Sequence, residues 1–204
     1  MAEAGGTVRA FVAVTLPAPW LDALAALQDR LRPCGVRAGW TSRETMHLTL
    51  RFLGDVPEER VPALKTTLAE GYAARAPVRL QPRGAGAFPD LRRPSVLWAG
   101  VEALEGDLAA LRAAADAAAR AAGLPRDNKP FHPHITLGRV RRERPAPEAL
   151  ERLRETLHDA RDWGPGAIDV DDVALFSSTL RPRGAVHRVL AAYALEGANP
   201  PCSP

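Results

Sequence analysis

The tetrapeptide His47-Leu48-Thr49-Leu50 returns as His134-Ile135-Thr136-Leu137, with the same order of His, apolar, Thr, apolar. Side chains along a β-strand alternate between its two faces. Each copy therefore sets a His and a Thr on one face and two aliphatic residues on the other. With five His and ten Thr in 204 residues, one such match arises by chance roughly 0.05 times per chain, and two about once in a thousand chains. One copy in each half implies an internal duplication, with two polar-faced strands laid over a core.

Apolar periodicity predicts the same order of elements twice. Residues 8–16 read as a strand; Pro17 and Pro19 open a helix with Leu21, Leu24, Leu27 and Leu31 at helical spacing, ended by Pro33 and Gly35. A strand over 40–52 carries the first tetrapeptide and stops at Gly54-Asp55. Pro57 begins a helix with Val61, Leu64 and Leu68, and 78–80 begins a third strand. In the second half, 95–101 is a strand, 104–122 an Ala-rich helix, 125–130 a loop and 131–140 the second signature strand. A helix over 147–160 and strands over 168–176 and 186–195 follow. The expected fold class is α+β, with two βαβαβ units of largely antiparallel sheet facing a central cleft. One domain over 1–198 is expected, with lobes of about 8–93 and 94–196 and a disordered Pro-rich tail at 199–204.

A hydrophobic content of 46% supports an ordinary core. Arg supplies 25 of the 27 basic residues, and guanidinium forks suit phosphate oxygens, although a genome rich in G and C yields the same excess. A net charge of +3 permits a nucleic-acid partner without requiring one. Cys34 and Cys202 have the spacing of neither a zinc site nor a disulfide scaffold, which points to free thiols in a reducing cytoplasm. The apolar core after Arg9 is too short for a secretion signal, since Pro17 and Pro19 follow at once. No apolar run approaches the twenty or so residues that span a bilayer.

Two imidazoles across a groove can act as base and acid together near neutral pH, because an ordinary His titrates close to 6.5. In displacement at phosphorus, one takes a proton from water while the other protonates the departing oxygen. Threonine hydroxyls and an Arg would hold the non-bridging oxygens. A strained ester needs no metal for this, and a ribose 2',3'-cyclic phosphate is such an ester. His132 and His134 form an HxH pair, but no His- and Asp-rich partner motif accompanies it, so no metal site and no cofactor are expected. Trp98 and Trp40 read as core residues, His158 as solvated, and 141–144 as an exposed basic turn suited to an RNA backbone.

The two tetrapeptides, Phe11, Phe52-Leu53-Gly54, Val96-Leu97-Trp98 and the run from Pro133 through Gly138-Arg139-Val140 together resemble the 2H phosphoesterases. Within them the chain is most similar to the RNA 2',3'-cyclic phosphodiesterases once described as 2'-5' RNA ligases, the LigT or ThpR family, over about 8–195. The resemblance implies hydrolysis of a 2',3'-cyclic phosphate to a 2'-phosphomonoester, with His47 as proton donor and His134 as proton acceptor. It implies Thr49, Thr136 and Arg139 as phosphate ligands, and Phe11 near the nucleoside. Strict alternation turns Arg139 away from the His134 face unless Gly138 marks a bulge, and puts Arg51 beside His47 as a further phosphate candidate. His187 stands where relatives often carry an aromatic residue and reads as a surface or packing residue. The implied partners are RNA with 2',3'-cyclic phosphate ends or small cyclic nucleotides, met by a monomer. A binding module using the same cleft, an enzyme for another cyclic or 2'-5' phosphodiester, and reversible 2'-5' RNA joining are the alternatives.

Overall fold

Strand β1 (Thr7–Val14) buries every side chain from Ala10 to Val14. Alternation is lost there because β1 lies inside a sheet with both faces covered. The computed structural model describes residues 6–181 and 184–197; the expected tail at 199–204 lies outside them. The remaining strands are β2 (Ala38–Trp40), β3 (Leu48–Pro57), β4 (Val78–Phe88), β5 (Val96–Glu105), β6 (His134–Val140), β7 (Ile168–Val170), β8 (Asp172–Arg181) and β9 (Gly184–Ala194). Among the described residues these form one nine-stranded sheet in the order β7-β4-β5-β6-β3-β1-β8-β9, with β2 beside β6 and every pairing antiparallel. The α+β class expected from the sequence is the class observed.

The helices are α1 (Ala18–Leu31), α2 (Val61–Ala73), α3 (Leu108–Ala121) and α4 (Pro147–Asp159). Each buries one stripe: Trp20, Leu24, Leu27, Gln28 and Leu31 on α1, and Leu108, Leu111, Ala114, Ala115, Ala118 and Ala119 on α3. Helix α1 packs with α4 and α2 with α3. Each helix layer thus draws one member from each half of the chain. The sheet does the same, since β4 of the first half pairs with β5 and β8 of the second pairs with β1. The expected lobes of about 8–93 and 94–196 therefore exchange their third strands.

Three local expectations are corrected. The strand predicted over 40–52 breaks after Trp40, where a turn at Arg43–Thr45 is closed by the Thr45 N–H donating to the Ser42 carbonyl, and β3 begins only at Leu48. The helix predicted from 104 begins at Leu108. Strand β5 runs on to Glu105, Gly106 turns the chain at φ 78°, and the Asp107 carboxylate caps the Ala110 N–H, leaving Leu104 47% exposed. The strand predicted over 168–176 divides at Asp171, because β7 pairs with β4 on one side of the sheet and β8 with β1 on the other.

Candidate active site

The two signature strands meet at the centre of the sheet through a single antiparallel pair, Leu48 with Ile135. One step outward on either side, Thr49 lies opposite His134 and His47 opposite Thr136. This places the two histidines on a diagonal, where Cβ atoms are typically about 7–8 Å apart. Leu48, Leu50, Ile135 and Leu137 are wholly buried beneath them. His47, Thr49, His134 and Thr136 are half-buried. The aliphatic positions thus anchor the strands and fix the polar face.

Both imidazoles are oriented by the same device. His47 Nδ1 lies 2.7 Å from the Thr45 carbonyl and His134 Nδ1 lies 2.6 Å from the His132 carbonyl, in each case two residues upstream. A carbonyl only accepts, so both Nδ1 atoms carry the hydrogen and Nε2 is left as the working nitrogen. Phe11 stacks on His47 at 4.6 Å and Phe88 meets His134 edge-on at 5.0 Å. Each ring is thus held by a hydrogen bond at one end and an aromatic neighbour on one side.

Burial pushes the His47 imidazole down to about 4, and the charges of His187, His134 and Arg139 add to the depression that the Thr45 carbonyl partly offsets. His134 is held below its ordinary value first by burial, then by Arg139 and His132. Both are neutral at pH 7 in the free protein. Because an unfolded His titrates near 6.5, these depressed groups contribute stability that is complete above that pH and is lost as pH falls through their folded values.

The strand alternation that sequence implies fails at an equivalent place in each half, and in β3 a second time further on, at Leu53. In β3, Val12 is opposite Arg51 and Ala13 opposite Thr49, so Leu50 is an extra residue; in β6, Leu97 is opposite Gly138 and Trp98 opposite Thr136, so Leu137 is extra. Each bulge follows its Thr directly and turns the fifth residue after the His back to the cleft. In the second half that residue is Arg139, exposed and close enough to depress both imidazoles. Trp40 lies over Gly138, where a Cβ would come within 3.1 Å of its ring. In the first half the equivalent residue is Phe52, 44% exposed beneath the Arg9 guanidinium at 4.7 Å.

The same bulge removes Arg51 from the cleft, correcting the expectation that it would share a face with His47 and Thr49. Arg51 is 5% exposed, with Nε 2.9 Å from Asp116 and Nη1 3.1 Å from Asp127, and it donates to the Pro125 carbonyl. Arg112 completes the cluster on both carboxylates and covers the Phe131 ring. The cluster ties β3 and α3 to the loop that leads into His134. Arg51→Met is expected to cost about 2–4 kcal/mol, since it strands two carboxylates against one remaining guanidinium. Urea denaturation measures this; a variant as stable as the parent but slow in turnover would return Arg51 to the phosphate.

Phe11 is 4% exposed, enclosed by His47, Phe176 at 5.2 Å and His187 at 4.9 Å. It backs His47 and offers no face to a nucleoside, which corrects the substrate-contact expectation. His187 stands at right angles to His47 at 5.3 Å. Its place in the cleft follows from the β8–β9 hairpin and has no local sequence signal beyond the unusual residue type. Gln28 belongs to no motif and escapes a reading of the sequence. Its buried amide donates to the Thr41 and Leu137 carbonyls at 2.8 and 2.6 Å, the latter also accepting from the Thr41 N–H, so that Gln28 ties α1 to the bulged stretch of β6. The one available signal is a polar residue within the apolar stripe of α1. Trp98, expected as core, is half-buried beside Thr136. No cluster of three or more His, Cys, Asp or Glu side chains with metal-site geometry occurs among the described residues.

A duplicated antiparallel sheet with a His-x-Thr strand from each half meeting at its centre defines a 2H phosphoesterase. The model of the 2'-5' RNA ligase superfamily matches residues 15–181, and the chain belongs to that family. It is 38% identical over 200 residues to an RNA 2',3'-cyclic phosphodiesterase of Thermus thermophilus, covering 93% of this chain and 91% of that one. It is 33% identical over 167 residues to the protein of the same name from Aeropyrum pernix, covering 82% and 92%. Among solved structures it is similar to a Thermus thermophilus protein (TM-score 0.74, 33% identity, 93% and 98% covered). It is also similar to Escherichia coli LigT complexed with 3'-AMP (TM-score 0.69, 25% identity, 93% and 98% covered).

Proposed function

We propose that this protein hydrolyses 2',3'-cyclic phosphates on RNA ends or small nucleotides to 2'-phosphomonoesters, as a monomer and without a metal. The observation that carries this is the matched pair of imidazoles, each with Nδ1–H fixed by a carbonyl and Nε2 left free, on either side of the Leu48–Ile135 pair. The relatives bearing the name RNA 2',3'-cyclic phosphodiesterase support the choice of substrate.

His134 Nε2 takes a proton from water as its oxygen bonds to phosphorus. His47 Nε2–H gives a proton to O3' as the P–O3' bond breaks, and the phosphate stays on O2'. Thr49, Thr136 and Arg139 hold the non-bridging oxygens, whose charge grows in the transition state. The division of roles is supported by access. His47 is walled by Phe11 and His187, whereas His134 borders open space from which a nucleophile enters. The same path run backwards, with a 5'-hydroxyl in place of water, gives 2'-5' joining. The buried Cys34 thiol suits a reducing cytoplasm, and no helix among the described residues is long and apolar enough to cross a membrane.

Incubation with chelator and adenosine 2',3'-cyclic phosphate is expected to yield adenosine 2'-phosphate. A 3'-phosphate product overturns the leaving-group assignment, and binding without turnover favours a nucleotide-binding module. The pH profile follows from the depressed imidazoles. Turnover needs one protonated and one neutral, so kcat/KM rises through the lower macroscopic pKa and falls through the higher. Both lie below 6.5 in the free protein, placing the kcat/KM maximum on the acid side of that value. The kcat bell lies at higher pH, because bound phosphate stabilises the imidazolium. Profiles flat between pH 5 and 8 would sink the acid and base pair.

A further inference from the structure

Along one edge of β6 the strand pairing is interrupted. Pairing with β2 ends where Gly138 meets Trp40, and pairing with β3 is confined to Ile135 opposite Leu48. Between them, residues 41–47 leave the sheet through the turn at Arg43–Thr45. The interruption falls on the bulge of β6, at Leu137. One carbonyl from each side of the break, that of Leu137 and that of Thr41, is met there by Gln28 Nε2, at 2.6 and 2.8 Å. An amide nitrogen carries two hydrogens, one for each carbonyl, whereas the amide oxygen in its place would face two acceptors, so the chemistry fixes which way the side chain is turned. The Leu137 carbonyl also accepts from the Thr41 N–H at 3.0 Å, closing a three-way junction of α1, the exit of β2 and β6. Just beyond the end of α1, the Arg32 guanidinium covers the Trp40 ring at 4.9 Å, so this end of the helix bears on the bulge twice.

Gln28 is 4% exposed and lies in a stripe otherwise built of Trp20, Leu24, Leu27 and Leu31, where a polar group is costly unless it is paired. Tyrosine, tryptophan and cysteine apart, Gln28 and Arg51 are the only buried polar or charged side chains among the described residues. Each stands at one of the two equivalent bulges. Arg51 adjoins the first and is drawn to the helix side; Gln28 reaches the second from outside. A bulge is a shift of register by one residue, and without a partner for its displaced carbonyl it can relax to unbroken pairing, which turns the following side chains to the opposite face. We infer that Gln28 is a positioning residue, whose amide clamps the exit of β2 to the β6 bulge and so aims Arg139 into the cleft beside His47. This rests on the phosphate role given to Arg139 under the proposed function, and extends it to a side chain that never touches the substrate.

The test is a double-mutant cycle on adenosine 2',3'-cyclic phosphate. Gln28→Met keeps the length of the side chain and removes both donors. It is expected to lower kcat/KM by about tenfold to a hundredfold, the scale on which a small misplacement of a group that holds the reacting centre is felt. On top of Arg139→Ala the same change is expected to cost less than about twofold, because no guanidinium is left to aim. Gln28→Met should also carry both limbs of the kcat/KM profile part of the way to their positions in Arg139→Ala, as the Arg139 cation withdraws from His47 and His134 while His187 and His132 stay beside them. An equal cost in both backgrounds, or limbs that do not move, overturns the inference and leaves Gln28 a packing residue. If Gln28→Met does not fold, Gln28→Asn, whose amide stops one methylene short of the two carbonyls, takes its place with the same expected and fatal results. Titration with adenosine 2'-phosphate repeats the cycle on Kd. A parent that binds this nucleotide but turns over no cyclic phosphate removes the catalytic function, and the clamp is then sustained by a loss of affinity shared between Gln28→Met and Arg139→Ala and overturned by losses that add.

Discussion

His134→Ala is expected to lower kcat on a 2',3'-cyclic phosphate by about 10²- to 10⁴-fold, and His47→Ala by a similar factor, each with the unfolding midpoint little changed. Neither ring supports the sheet. The strands are anchored by Leu48, Leu50, Ile135 and Leu137 on the opposite face, and each imidazole makes its protein hydrogen bond through Nδ1 to a local carbonyl. The double variant is expected to be about as slow as either single one, because the two proton transfers serve one displacement and losing either disables both. Loss of one limb of the pH profile should accompany each single variant. A His47→Ala protein within about threefold of the parent would show that the leaving oxygen needs no acid, contrary to the usual worth of such a group.

Arg139→Ala is expected to reduce kcat/KM by about 10²-fold, the usual scale for removing one donor aimed at developing oxyanion charge. It carries a second signature. The Arg139 cation holds both imidazoles down, so its removal moves both limbs of the kcat/KM profile to higher pH. A purely structural loss would leave the limbs in place. Arg139→Lys should retain the limbs and recover part of the rate, since an ammonium replaces the charge without the two-pronged geometry. Unshifted limbs in Arg139→Ala would place the guanidinium away from the cleft, on the side that unbroken alternation assigns it.

The polar face of the site is legible directly in the paired tetrapeptides, because two-residue periodicity holds from His47 to Thr49 and from His134 to Thr136. It fails one residue later. Leu50-Arg51 contains no Gly, Pro or Asn, and nothing local announces that the strand takes an extra residue there. The bulge is set by what lies around it, with Asp116 and Asp127 drawing Arg51 to the helix side. In the other half Gly138 does give a signal, and a bulge at that point is the condition for Arg139 to reach the cleft. Helix stripes are legible from Leu spacing, whereas the start of α3 is displaced by Gly106 and Asp107, whose turn and cap outweigh the helix propensity of Leu104. The pairing of β8 with β1 leaves no trace in local pattern, unlike that of β4 with β5, which are neighbours in sequence. Pairing partners more than a hundred residues apart are fixed by global packing, and the same is true of the meeting of His187 with His47.

That exchange dictates when the molecule can come into being. As the chain leaves the ribosome, β1 and β3 emerge early, but the far edge of β1 waits for β8, whose residues are made some 160 positions later. Until then β1 presents a row of unpaired backbone N–H and C=O groups along that edge, a hazard for nascent proteins with such distant partners. Completion of the sheet is therefore a late event, which needs nearly the whole of the described chain.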